Sequence, residues 1–319
     1  MIHTKIFNYI LKKEVTFTLA LFADEKLSLN IFDEDHLILK NKLGGLWRPK
    51  PLLYQADPFL FVKGKQLFLF YELQHWDDPG YIVMIKTNDL KTWSMPKVVL
   101  KEPFHLSFPF VFEDHGNVYM IPESQEDDSI RLYRANNDLS SFSYVRTLLK
   151  KKRDADIIYS YNDSHIYYND GNYYLFTSYQ EDWMYYQELY VARDLLTDEF
   201  VKHPDSPICV SNEFGRNGGS LVNYKGKLLR VTQDCHEDYG DNVSLMEILK
   251  IDTDHYEERL FKHNIVPHNS IFVDGGHQLN ISHFDGKYIY ALDYKIKTWI
   301  WYRLYVSFMK KVGFHKRKQ

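Results

Sequence analysis

The chain is short of the residues that staple, interrupt or span. Two cysteines in 319 residues, Cys209 and Cys235, are too few for a disulfide framework and read as small buried hydrophobes of a reducing, intracellular compartment, with a single bridge as the alternative. Glycine occupies only 15 positions and 45% of the residues are hydrophobic, which excludes collagen-like and disordered classes. The apolar stretch Ile6 to Leu11 is broken by Asn8 and lacks a small-residue cleavage site, which argues against secretion. Acid is missing altogether from Lys295 to Gln319, where six Lys and two Arg give +8; the other 31 basic and 43 acidic residues leave the body at −12. An acidic body is a poor partner for nucleic acid.

That last segment joins interfacial aromatics, TWIWYRLYVSFM from Thr298 to Met309, to the cluster Lys310, Lys311, Lys316, Arg317 and Lys318. It is about half the roughly 20 residues a spanning helix needs. The expectation is a short basic amphipathic helix over 295–319 that lies on the inner face of a membrane, with residues 1–294 forming the body; the alternative is a terminal helix packed on that body with a solvated charged end.

Aromatics are abundant: 25 Tyr and 21 Phe bring them to 16% of the chain, and such rings favour half-buried strands. A unit of strand, tight glycine turn and second strand occurs five times. It begins at Ala56 (ADPFLFVKGKQLFLFYE), Phe108, Ala155 (ADIIYSYNDSHIYYNDGNYYLFTS), Gly218 and Gly276. The turn glycines Gly64, Gly116, Gly171, Gly226 and Gly286 are 52, 55, 55 and 60 residues apart, a period that leaves room for four strands per unit. One four-stranded sheet cannot cover both its faces, so the repeat predicts an all-β, five-bladed propeller. Thr16 to Phe22 is expected to complete the last blade and close the ring, removing exposed edges. Two packed sandwiches would make five equal periods a coincidence.

In a propeller the first strand of each blade lines the channel, so residues far apart in sequence meet at one mouth. Asp57, Pro109, Asp156, Gly218 and His277 take roughly equivalent places before the turns. His105 with Ser107, Glu123, Arg216 with Asn217, and Gln233 with Asp234 are expected beside them. Converging carboxylates repel and lose hydration, which raises at least one pKa toward neutrality. Arg216 beside two glycines has room for an anionic ligand. The cluster Asp234, His236, Glu237 and Asp238 matches no strong ligand spacing, so no metal site is assigned.

The segments EPFHLSFPFVFE, YMIPES, IRLYRA, ADIIY, HPDSPI, GRNGGSLV, LLRVTQD and GGHQLN resemble the propeller domain at the N-terminus of plant glucosamine inositolphosphorylceramide transferases and stand-alone bacterial relatives. The likeness runs from about Ala56 to Asp293. More distantly the chain is similar to five-bladed arabinanase and β-xylosidase glycoside hydrolases. That analogy implies Asp57 as base and Asp156 as the group tuning its pKa, whereas the stretch corresponding to their general acid reads FGRNGGS.

The resemblance implies a carbohydrate-active enzyme. Without that acid, transfer from a nucleotide sugar, whose phosphate leaves readily, fits better than hydrolysis. Asp57 or Glu123 would then deprotonate the acceptor, with His105, Arg216 and His277 holding the phosphate. The acceptor expected is a glycan or glycolipid met by a cytoplasmic protein on the inner leaflet. Any need for a divalent ion is left open. A glycosidase and a non-catalytic glycan-binding scaffold are the alternatives.

Overall fold

The computed structural model describes residues 13–41, 52–75, 78–151 and 160–299. Strands β1 (Lys13–Asp24) and β2 (Leu37–Lys40) come first in sequence, and the blades follow. The first blade is β3 (Leu52–Lys63), β4 (Gln66–His75), β5 (Tyr81–Thr87) and β6 (Lys97–Leu100). The second is β7 (Ser107–Asp114), β8 (Asn117–Glu123), β9 (Ser129–Ala135) and β10 (Phe142–Lys150). The third is β11 (Asn162–Asn169), β12 (Asn172–Glu181), β13 (Met184–Ala192) and β14 (Val201–Lys202), with β15 (Cys209–Val210) also paired to β13. In the fourth, β16 (Arg216–Asn217) and β17 (Val222–Tyr224) both pair with β18 (Lys227–Asp234), followed by β19 (Asn242–Ile251) and β20 (Tyr256–Lys262). The fifth takes β21 (Leu279–Phe284) and β22 (Lys287–Trp299) from the end of the described chain, and β1 and β2 from its start.

The five-bladed propeller read from the repeat is the architecture found, and the expected closing strand is β1, paired with β22 from Lys13↔Trp299 to Asp24↔Tyr288. Among the described residues the helical content is one 3-10 turn at Gln125–Asp127. The expected terminal helix over 295–319 begins differently: residues 295–299 extend β22, and 300–319 lie outside the described residues. Lys295 is no surface charge either. It is 1% exposed, and its Nζ donates to Asp238 Oδ2 at 3.1 Å and to the Tyr239 carbonyl at 3.0 Å.

Apolar side chains fill the gaps between blades, one cluster to each junction. Between the first and second blades lie Phe70, Met84, Leu106, Met120 and Tyr133; between the fifth and first lie Leu19, Leu21, Leu69, Tyr71 and Ile289. Each such side chain contributes about 1.5–3 kcal/mol when buried. The junction of the third and fourth blades is thinnest, with Tyr174, Phe176, Leu189 and Ile248 as its buried apolar residues. There Arg230, fully buried, donates to both Glu258 carboxylate oxygens at 2.5 and 2.8 Å and to Gln187 of the neighbouring blade at 3.4 Å.

The inner hairpins set the register of everything at the mouth. Four of them turn on two residues with positive φ, the second a glycine: His115–Gly116, Asp170–Gly171, Lys225–Gly226 and Asp285–Gly286. This turn matches the right-handed strand twist and needs left-handed backbone, which glycine adopts without strain. The first blade turns on Gly64–Lys65 with the glycine in first place, so its glycine is one residue out of phase with the others.

Candidate active site

Counting back eight residues from the second turn position reaches Asp57, Phe108, Asp163, Gly218 and Gln278; counting forward seven reaches Glu72, Glu123, Ser178, Gln233 and Asp293. Three inner strands bulge at the first set, between Ala56 and Phe59, Ser107 and Phe110, and Asn162 and His165. There Asp57, Phe108 and Asp163 hold φ of 54°, 42° and 46°. Left-handed backbone is costly at non-glycine residues and concentrates at functional sites. Each bulge points a backbone N–H across to the preceding blade. Asp57 donates to Asp293 Oδ2 at 3.0 Å, Phe108 to Asp57 Oδ2 at 3.0 Å, and Asp163 to Glu123 Oε2 at 3.0 Å.

This register corrects the sequence alignment. The third-blade counterpart of Asp57 is Asp163, not Asp156; Asp156 lies outside the described residues. In the second and fifth blades the counterparts are Phe108 and Gln278, each one residue from the Pro109 and His277 that local similarity selects. Asp57, Glu123, Arg216, Asn217 and His277 are nonetheless brought together, and Asp163, Glu72 and Asp293 join them. Gln233 pairs with Arg216 in the sheet and its Oε1 accepts from the Cys235 thiol at 3.0 Å. Asp234 caps the turn by accepting the His236 N–H at 2.9 Å.

His277 sits between two acids. Its Nδ1 is 2.6 Å from Asp293 Oδ2 and its Nε2 is 3.6 Å from Asp57 Oδ1. Asp293 Oδ1 also accepts the backbone N–H groups of His277 and Gln278 at 3.0 and 3.2 Å. The imidazole is pinned by Phe17 of β1, stacked at 4.0 Å and 12°, and by the edge of Tyr239. Burial opposes a charge on His277, but Asp293 and Asp57 outweigh it and raise its proton affinity. Burial pushes Asp57 up to about 7, against the pull of His277 and with repulsion from Asp163 and Asp293. The atoms of Asp57, His277 and Asp293 lie within 4.8 Å of one another and could also hold a metal ion.

Arg216 has a duty other than the phosphate anchor expected for it. Its Nε donates to Asp163 Oδ2 at 2.5 Å, its Nη1 to the Tyr185 hydroxyl at 3.2 Å, and its Nη2 lies 3.8 Å from Glu123. The rings of Tyr239 and Tyr185 cover the guanidinium at 5.1 and 5.5 Å. It is the counter-ion of a buried acid pair. Burial pushes Asp163 up to about 7 even so, with Glu123 adding repulsion. Asn217 completes this side, its Nδ2 donating to the Asp163 carbonyl at 2.6 Å.

Glu72 breaks the pattern of its ring. Its counterparts Glu123 and Asp293 accept the N–H of the following blade's bulge, but Asp57 has taken the N–H of Phe108, and Glu72 Oε1 has no hydrogen-bond partner. Burial and the surrounding carboxylates therefore hold its pKa well above the usual range. His105 approaches it: the Gly80 N–H donates to His105 Nδ1 at 3.0 Å, leaving Nε2 to carry the proton, 3.4 Å from Glu72 Oε1. Burial lowers the His105 pKa, in keeping with a neutral ring. A Cβ at Gly80 would stand 2.6 Å from His105 Cε1 and 2.8 Å from Glu72 Oε1. Gly80→Ala should displace His105 and cost about 1–3 kcal/mol, read as a lower urea midpoint together with a shifted His105 imidazole NMR signal.

The elevated acids set a pH dependence. Asp57 and Asp163 titrate near 3.8 when unfolded and near 7 when folded, so across that window the folded state holds more protons and stability falls as pH rises. The raised His277 has the same sign, its contribution present below its unfolded pKa and lost as pH rises. Asp57 and Asp163 should therefore make the denaturation midpoint decline from about pH 5 to about pH 8 relative to the Asp57→Asn, Asp163→Asn double variant. A parent and double variant with the same pH slope would show both acids to be ionised throughout.

A family model described as the N-terminal region of glucosamine inositolphosphorylceramide transferase 1 matches residues 48–293. The chain belongs to this family. Relatives carrying that transferase name are 34% identical: over 216 residues in Arabidopsis thaliana, 65% of this chain and 27% of that protein, and over 219 residues in Oryza sativa subsp. japonica, 65% and 28%. The family region thus spans about a quarter of those relatives. Among solved structures, Zg3597, a family 117 glycoside hydrolase of Zobellia galactanivorans, superposes with TM-score 0.54 at 14% identity over 76% of this chain and 84% of that one. BlXynB, a family-43 protein of Bacillus licheniformis, does so with TM-score 0.50 at 17% identity over 65% and 43%. At such identities the likeness speaks for the propeller fold alone.

Proposed function

We propose that the chain is a carbohydrate-active enzyme of cell-surface glycan assembly, transferring a sugar from a nucleotide sugar to a glycan or glycolipid acceptor with Asp57 as base. The observation that carries this reading is the Asp57, His277, Asp293 line. It sets a carboxylate whose proton affinity lies near neutrality beside an imidazole fixed from the far side. The acceptor hydroxyl would give its proton to Asp57 as its oxygen bonds the anomeric carbon. The bond from that carbon to the donor phosphate breaks with its electron pair on the phosphate. In this mechanism Arg216 holds Asp163 and the geometry of the mouth rather than the donor. The transferase name of the family relatives supports the choice of reaction.

The same reading keeps the protein in the cytoplasm at the inner face of a membrane. It would be held there by the aromatic and basic residues of 300–319, Tyr302, Arg303, Lys310, Lys311, Lys316, Arg317 and Lys318 among them. No helix among the described residues is long and apolar enough to cross a bilayer.

The test is incubation of the purified chain with a panel of sugar nucleotides and lipid-linked acceptors. Turnover that disappears in Asp57→Asn supports the mechanism; turnover unchanged in that variant removes it. One observation favours a second reading. Burial and the neighbouring carboxylates raise the proton affinity of Glu72, which suits it to protonate a sugar leaving group, as hydrolysis of a glycoside requires. Release of phenol from aryl glycosides, lost in Glu72→Gln, would select that reading. Saturable glycan binding with no turnover of either kind would select a scaffold.

A further inference from the structure

Strands β12 and β13 continue beyond the level of the mouth, which Ser178 marks, and turn at Asp182–Trp183. This hairpin is built of rings. Tyr179 and its cross-strand partner Tyr186 stack at 5.0 Å and 6°, and Lys151 Nζ lies 4.3 Å over the Tyr179 ring. Tyr185 accepts from Arg216, so the hairpin is continuous with the mouth. At its tip Trp183 is 87% exposed and Met184 is 36% exposed.

Nothing in folding accounts for Trp183. Both turn residues hold positive φ, 47° for Asp182 and 66° for Trp183, a turn that favours Asn-Gly and in which a bulky ring is strained. A side chain this exposed gains little from burial in return. We propose that the hairpin is a sugar-stacking wall of the mouth. The Trp183 ring would take the flat C–H face of a neutral saccharide unit, while Glu181 and Asp182 flank it as hydroxyl acceptors. The tip stands two residues, about 7 Å, further out along the strand than Tyr185, so the unit it holds lies outside the reacting one. Acids beside the ring disfavour a phosphate-bearing ligand or an anionic lipid surface and suit an uncharged polyhydroxyl chain. This inference rests on the carbohydrate reading of the mouth and names where the acceptor glycan is held.

Affinity electrophoresis of the full chain through gels containing dextran, arabinan, xylan or galactomannan tests it. At least one polymer should retard the parent protein. Trp183→Ala should weaken that retardation at least fivefold, and Trp183→Phe should keep most of it. Trp183→Gly, which relieves the turn, should melt no lower than the parent, which separates lost binding from lost folding. The wall is overturned if none of the four polymers retards the chain or if Trp183→Ala migrates like the parent. Trp183-dependent sedimentation with phosphatidylglycerol vesicles overturns it too. Retention is read without turnover, so a retained but inactive protein sinks the proposed reaction and leaves the wall. An active protein whose retention ignores Trp183 does the reverse.

Discussion

Asp57→Asn should lower sugar transfer by about 10²–10⁴-fold, the range a positioned general base supplies. The amide keeps the size of the side chain and one acceptor oxygen for the Phe108 N–H, so the bulge should persist and the loss should appear in kcat. The parent should gain activity as pH rises through about 7, where Asp57 gives up its proton, and the residual activity of the variant should lack that limb. His277→Gln, which leaves Asp57 without its imidazole neighbour, should move the limb to higher pH, because His277 opposes the upward shift of Asp57. Initial rates between pH 5 and pH 9 decide this; a limb that stays in place in Asp57→Asn assigns it to another group.

The largest effect on stability is expected at Arg216. Truncation to Ala strips Asp163 and Glu123 of their buried counter-ion, and breaking such a pair from one side costs about 3–5 kcal/mol. The cause is an uncompensated charge, so neutralising the partner should recover part of the loss. Urea unfolding of Arg216→Ala, Asp163→Asn and the double variant would give a coupling energy, and the double variant should be more stable than Arg216→Ala alone. A double variant whose losses simply add would mean that Arg216 acts through its packing against Tyr185 and Tyr239.

Much of the fold was legible because its punctuation is local. A tight turn of glycine between aromatic strands is written in contiguous residues, and its recurrence counted the blades. The mouth was legible where a residue's neighbours mark it, as with Asp57 before Pro58, His277 between glycine and glutamine, or Glu123 after Pro122. Asp163 was hidden by a decoy. Ala155–Asp156 imitates Ala56–Asp57, whereas Asn162–Asp163 has no proline and is followed by Ser164. Counting from the turn rather than matching letters would have found it, and would have found Glu72 and Asp293 at the same offset as Glu123. The role of Arg216 was out of reach of any local reading. Its partners Asp163, Glu123 and Tyr239 come from three blades, and beside two glycines an arginine looks free until those strands are in place.

The ring closes by pairing β1, near the start of the chain, with β22, near its end, and β1 carries the Phe17 ring that lies against His277. During synthesis, then, the edge of β1 that does not pair with β2 must wait for β22, the last described strand. Only when it docks does the imidazole acquire its fixed orientation. A nascent or truncated chain lacking β22 would have neither the closed ring nor Asp293, so the buried acids of the mouth would assemble only in molecules that have finished folding.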